Sequence, residues 1–275
     1  MVRKRIYAGL VLFLATGSLA AQPFRAGLPA PVDGGTGGVL TPAPGLNGPA
    51  DGLGGRAFIT HARLRDFQFT SVGAGLVVND RWEFTASQPN LGVGSSDDVR
   101  QNVFGARLRL LGSARRPLAP AASLGVSYRR QSDFGLEGSL GAAEPRRRDD
   151  WDALATMGVG YRLGGERAVR INTSARWTRA NAGGLFGFGG TDGDSRALHL
   201  EGGVHAAVTR ALQFSGEYRQ QPDHLGNDPG DAWWAAYVSY ALTPEVQLGA
   251  GWMDLGRVAG ADRQDGPFLT LRGGF

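Results

Sequence analysis

The sequence predicts an all-β fold: a transmembrane antiparallel up-and-down β-barrel of about twelve strands, with both termini on the periplasmic side. Three observations predict it. Segments of about ten residues alternate apolar and polar side chains with period two, which sends successive side chains into two different environments. Short and long connections alternate between these segments, as they do in outer-membrane barrels. The last segment ends on Phe275, with Gly273, Leu271 and Leu269 on the same face.

Composition narrows the alternatives. Of 275 residues, 44 are Gly and 14 are Pro, with no Cys and four His. The Gly share is more than twice the usual ~7% and has no three-residue period, which excludes collagen. The absence of Cys removes disulfides, thiolate metal sites, Cys nucleophiles and lipid attachment through an N-terminal Cys. The formal charge of +4 includes Arg3, Lys4 and Arg5, so cleavage of that stretch leaves about +1. A near-neutral chain whose mature cations are all Arg is a poor nucleic-acid binder.

The first element, 1–21, reads as a secretory signal peptide. Met1 to Arg5 is basic, Ile6 to Ala15 is apolar, and Ser18-Leu19-Ala20 puts small residues at the −3 and −1 positions of a cut after Ala20. The apolar run is too short to span ~30 Å of hydrocarbon. Residues 22–55 follow as a Gly/Pro-rich stretch without sustained periodicity, expected to be an arm, a plug in the lumen or an irregular first strand.

Residues 56–275 carry the barrel. The segments are 56–63, 67–78, 81–88, 102–111, 121–130, 152–163, 168–179, 196–208, 211–220, 232–242, 245–254 and 267–275. The seventh sets Val169, Ile171, Thr173, Ala175 and Trp177 against Arg170, Asn172, Ser174 and Arg176. The eighth sets Leu198, Leu200 and Val204 against His199, Glu201 and His205. Short turns such as Asn79-Asp80, Thr209-Arg210 and Thr243-Pro244 alternate with long connections at 89–101, 131–151, 180–195, 221–231 and 255–266. The one departure is the short Leu64–Asp66 connection on the long side.

A soluble sandwich would show the same alternation, so the two faces decide. Tyr128, Tyr161, Trp177, Tyr218, Tyr240 and Trp252 fall near segment ends, where a membrane-interface girdle needs them. The opposite faces carry Arg107, Arg109, Arg162, Arg170, Arg176, Arg219 and Arg272, with Arg81 and Arg129, against Glu83, Glu201 and Glu217. In a dry core each unpaired charge costs several kcal/mol. A wet lumen removes that cost. Lipid-exposed backbone must be paired throughout, which a closed barrel achieves.

Several patches carry a family resemblance: GGTGGVLT (34–41), NDRWEFTASQ (79–88), QNVFG (101–105), DAWWAAY (231–237), and the ending WMDLG (252–256) with GPFL (266–269). They resemble an uncharacterised family of proteobacterial outer-membrane proteins, a conserved domain of unknown function. The resemblance runs over nearly the whole mature chain, except 131–151. It implies a barrel and an outer-membrane location, and it brings no catalytic residues. Leu269, Leu271 and Phe275 look like the terminal signal read by the barrel-insertion machinery.

No constellation points to catalysis, a cofactor or a metal. His199 and His205 share a face but lie ~20 Å apart along a strand, too far to chelate one ion. His224 beside Asp223, and Ser195, follow no nucleophile–base spacing. Asp192, Asp194, Asp228 and Asp231 sit in Gly-rich turns, which explain them as well as calcium would. Arg146-Arg147-Arg148 followed by Asp149-Asp150 is an outer-loop charge pair or a contact for lipopolysaccharide phosphate.

The expected function is a porin-like passive channel for small solutes, anion-preferring because of the Arg wall. The alternative is a closed structural or adhesion-type barrel whose outer loops contact a ligand or lipopolysaccharide. In that case residues 22–55 plug the lumen, or carboxylates match each Arg. The expected surroundings are outer-membrane lipid and lipopolysaccharide.

Overall fold

A computed structural model describes residues 28–46, 51–93, 97–134, 145–222, 224–225, 231–258 and 261–275. The predicted signal peptide, 1–21, lies outside them, as do parts of the connections at 131–151 and 221–231.

Twelve strands form one closed antiparallel barrel. They are β1 (Leu53–Arg63), β2 (Gln68–Val78), β3 (Trp82–Val93), β4 (Asp97–Leu111), β5 (Ala121–Phe134), β6 (Asp149–Gly164), β7 (Arg167–Thr178), β8 (Ala197–Ala207), β9 (Leu212–Arg219), β10 (Trp233–Ala241), β11 (Val246–Val258) and β12 (Ala261–Gly274). Each pairs with its sequence neighbours, and β12 closes on β1 through the register Arg56↔Gly274 to Ala62↔Phe268. Closure leaves no strand edge unpaired, which lipid demands. The end that carries the connections 79–81, 165–166, 208–211 and 242–245 is here the turn end. Asn79 and Asp80 adopt positive φ of 50° and 53° there, the geometry of a two-residue hairpin turn. The opposite end is the loop end.

Several strands run further toward the loop end than the period-two pattern indicates. Residues 89–101, expected as a long connection, continue the β3–β4 ladder through Asn90↔Arg100, Leu91↔Val99 and Val93↔Asp97. Residues 255–266 likewise extend the β11–β12 hairpin, through a bulge between Asp254 and Arg257. The physical reason is inward burial: Leu91, Val99, Leu255 and Val258 are packed inside, and they hold strands that a Gly- and Asp-rich composition disguises.

The outer surface is apolar. Leu76, Phe84, Phe104, Met157, Ile171, Leu200, Val204, Phe214, Leu248 and Leu269 all point outward. Each such side chain kept in water forgoes about 1.5–3 kcal/mol, so a band this continuous marks a surface made for lipid. The six predicted girdle residues, Tyr128, Tyr161, Trp177, Tyr218, Tyr240 and Trp252, are all on this outer face. Some keep a polar partner: Tyr128 donates to Asp149 at 2.5 Å and Trp252 Nε1 to Asp265 at 3.0 Å.

The interior carries the expected arginines and an apolar region beside them. Its loop-end half contains a buried apolar cluster of Phe69, Leu91, Val99, Trp233, Tyr237, Met253 and Phe268. Two further pieces enter this cluster. Leu185 and Phe186 come from the connection after β7, which opens with a 3₁₀ turn at Asn181–Gly184. Val32, Val39 and Leu40 come from the Gly/Pro-rich stretch before β1. A barrel this wide needs its centre filled, and the chain fills it with its own segments.

Candidate lumenal site

Residues 28–46 form a finger inside the barrel. Both ends sit at the turn end, where Arg272 Nη1 donates to the Leu28 carbonyl at 2.6 Å and Arg109 Nη2 to the Leu46 carbonyl at 3.2 Å. The finger folds back on itself through Val32 N to Val39 O, Ala43 N to Thr36 O, and Gly38 N to Thr41 O, each at 2.9 Å. Among the described residues it joins no strand of the barrel wall. Side chains of the wall hold it instead.

Two glutamates grip it from opposite sides, since β3 and β9 lie six strands apart in a ring of twelve. Glu83 on β3 accepts from Thr36 Oγ1 and pairs with Arg56 at 2.6 Å and Arg107 at 3.4 Å. Those two arginines in turn donate to finger carbonyls: Arg56 to Gly34 at 3.1 Å, and Arg107 to Thr36 at 3.1 Å and Ala43 at 2.7 Å. Glu217 on β9 accepts three successive backbone amides, Val39 at 3.1 Å, Leu40 at 2.6 Å and Thr41 at 3.0 Å, together with the Tyr237 hydroxyl. Converging amides make a concave anion-binding surface; here the anion belongs to the wall and the amides to the finger.

The Gly run permits this approach. A Cβ on Gly38 would overlap Glu217 Oε1, and one on Gly37 would overlap the Thr41 carbonyl.

A third contact carries charge in the opposite sense. Asp33 Oδ2 of the finger lies 2.9 Å from Arg129 Nη2, 3.3 Å from Arg176 Nη2 and 3.5 Å from Arg219 Nη1. The wall supplies the remaining acids. Asp152 pairs with Arg129 at 2.7 Å and Arg176 at 3.5 Å, while Glu201 pairs with Arg176 at 2.5 Å and Arg219 at 3.2 Å. Three guanidiniums thus meet three carboxylates, all within the buried interior. Burial alone would raise the Asp33 carboxyl, but Arg176, Arg129 and Arg219 outweigh it and hold the group well below the ordinary carboxylate range. Beside the cluster, a small pocket lies between the finger and β3–β6, lined by Thr85, Gly105, Gly125, Ser127 and Leu154 as well as by Arg107, Arg129 and Arg176.

The predicted lumen set is found as follows. Arg107, Arg109, Arg176, Arg219, Glu83, Glu201 and Glu217 are buried inside. Arg170 donates to Gln213 at 3.0 Å, and Arg272 to the finger as described. Arg162 has the inward phase but sits exposed at the turn end, donating to the Gly165 carbonyl at 3.3 Å, and does not join the cluster. Arg81 is likewise exposed. The strongly positive wall is corrected too. Asp80, which pairs with Arg109, and Asp152 add wall carboxylates, and Asp33 adds one from the finger. Sequence reading missed Asp33, Arg56, Asp80 and Asp152. The available signal for Asp33 is that it is the one acidic residue between 22 and 50. His205 is buried between Ser215 at 3.0 Å and Asn172 at 2.7 Å, as part of the lumen wall. At the terminal strand, Leu269 and Phe275 are exposed outward, with Leu271 partly covered.

Residues 27–272 match the family described as "Protein of unknown function (DUF3034)". No curated protein matches the chain. Among solved structures, the NanC porin is similar with a TM-score of 0.50 at 10% identity, over 80% of this chain and 98% of that one. The COG4313 outer membrane channel from Pseudomonas putida F1 gives a TM-score of 0.48 at 14% identity, over 82% and 95%. The Acinetobacter baumannii outer membrane protein Omp33 gives 0.47 at 11% identity, over 82% and 98%. At these identities the likeness is one of fold.

Proposed function

The chain belongs to that DUF3034 family, and from this premise we propose that it is an outer-membrane barrel that acts as a plugged passive channel. Residues 28–46 close it at rest, and its preferred solutes are small anions. The observation that carries this reading is the finger's mode of attachment. The barrel's hydrogen-bond ladder is complete without it, and side-chain and apolar contacts hold it in the lumen. Such a piece can leave without breaking the wall. Arg107, Arg129, Arg176 and Arg219 line the space it would vacate, which supports an anionic preference. The apolar exterior and aromatic ends support residence in outer-membrane lipid, with the turn end periplasmic, lipopolysaccharide at the loop end and the terminal strand as the insertion signal.

A second reading keeps the barrel permanently closed, with its loops as the working surface. The sharing of one apolar cluster by Val39, Leu40, Phe186, Trp233 and Tyr237 favours it.

Planar-bilayer recording under a salt gradient separates the two. The plugged channel predicts rare openings for the mature chain, and discrete steps with an anion-selective reversal potential once residues 28–46 are deleted. Silence from both proteins, after insertion is verified, would support the closed barrel.

A further inference from the structure

Asp33 behaves as a ligand would. It enters from a separable segment, presents one carboxylate oxygen to three guanidiniums, and completes a charge balance that the wall leaves open. The wall contributes Arg129, Arg176 and Arg219 but only Asp152 and Glu201. Without Asp33 the cluster carries one excess positive charge. The arginines do not depend on Asp33 for their positions. Arg129 is held by Asp152 at 2.7 Å and by the Gly183 carbonyl at 2.9 Å, Arg176 by Glu201 at 2.5 Å, and Arg219 lies over Trp233 at 5.4 Å. Withdrawal of the finger therefore exposes a preformed pocket, already supported by a second layer of contacts.

We propose that Arg129, Arg176 and Arg219 form a binding site for a small monovalent carboxylate, which Asp33 occupies as an intramolecular placeholder and for which a carboxylate solute competes. The proposal rests on the plugged-channel reading and gives that channel a substrate class and a trigger. Charge selects the class. One carboxylate replacing another keeps the cluster neutral, whereas a dianion would overshoot by one. Guanidinium forks also match a planar two-oxygen anion better than a spherical halide. The space beside Asp33, bounded by Gly105, Gly125 and Ser127, gives the competing solute room to approach before the finger has left.

The test reads binding rather than conduction. Full mature chains are refolded in detergent micelles, and heat-modifiable electrophoretic mobility verifies the folded barrel. Acetate is titrated calorimetrically at pH 7. Asp33→Ala should bind acetate at least ten-fold more tightly than the native chain, and Asp33→Ala with Arg176→Gln should return to the native value or below. A folded Asp33→Ala barrel that binds acetate no better than the native chain would overturn the proposal.

A second measurement leaves Asp33 in place. The sequence has no Cys, so Ala30→Cys puts a single thiol at a buried finger position. Its maleimide labelling should accelerate at least five-fold, and saturably, in acetate relative to chloride at equal ionic strength. Equal rates in the two salts would also overturn the proposal. The two readings fail separately. A bilayer-silent protein whose Asp33→Ala variant still binds acetate loses the channel and keeps the site. A conducting protein without acetate binding loses the site and keeps the channel.

Discussion

The Glu217 carboxylate accepts the Leu40 amide at 2.6 Å, joining residues 177 positions apart. With the Val39 and Thr41 amides on the same carboxylate, one wall side chain satisfies three consecutive backbone donors at the tip of the finger. Hydrogen bonds to a charged acceptor contribute about 1.5–3 kcal/mol each, and a buried donor left without one costs about as much. Glu217→Ala should therefore loosen the tip selectively. Amide exchange at 39–41 should accelerate at least ten-fold while the β9–β10 ladder keeps its protection. Glu217→Gln, which retains one acceptor oxygen, should fall between the two.

Two glycines of the finger, Gly38 at its tip and Gly45 near its base, give a sharper steric test. A methyl group on Gly38 would collide with the Glu217 carboxylate and the Tyr237 hydroxyl, whereas one on Gly45 meets nothing within 4 Å. Gly38→Ala should expose the finger to protease with the barrel intact. Gly45→Ala should change its stability by less than ~0.5 kcal/mol, as at an unconstrained surface position. Equal cleavage of the two variants would contradict the placement of the tip.

The Asp33 carboxyl predicts how docking responds to acid. Its value in the folded state lies below that of the free side chain, about 3.9. The stabilisation is therefore fully present above about pH 4 and is lost as pH falls through the lower folded value. Labelling of the single thiol in Ala30→Cys, expressed relative to an exposed thiol at the same pH because only the thiolate reacts, should stay slow and flat from pH 7 to about pH 5 and rise only in stronger acid. Asp33→Asn leaves a buried positive charge uncompensated, a loss of about 3–5 kcal/mol where nothing replaces it. It should raise labelling already at neutral pH and flatten the Asp33 part of the acid response.

The outer face can be tested by depth. Met157 is outward and 61% exposed at the middle of β6, and Leu163 is outward and 64% exposed near its turn end. Arginine at a bilayer midplane costs about 2–4 kcal/mol, and near an interface about 0–1. Met157→Arg should destabilise the barrel by the larger amount in urea titrations of vesicle-inserted protein, and Leu163→Arg by the smaller. Similar costs for both would contradict a membrane-spanning orientation of β6.

The strand phase was legible residue by residue. Trp177 and Leu200 face outward, and Arg176 and Glu201 inward, as their alternation requires. Where strands end was less legible: Leu91 and Val99 hold a ladder through residues whose composition reads as loop. The glutamates that hold the finger stood out as inward carboxylates, but their partners did not. Alternation reports which face a side chain takes and nothing about which of the other eleven strands, or which unpatterned segment, stands opposite.

The sequence by itself thus determined the strands, their two faces, the turns and the apolar exterior, because each follows from neighbours within a few positions. Only the tertiary structure decided that Arg107, Arg129, Arg176 and Arg219 each meet a carboxylate, and that a Gly/Pro-rich finger fills the centre. The reason is physical. The charge state of a lumen is a sum over all the walls and everything inside them. Asp33, 143 positions from Arg176, meets it at 3.3 Å only after the sheet has closed around the finger.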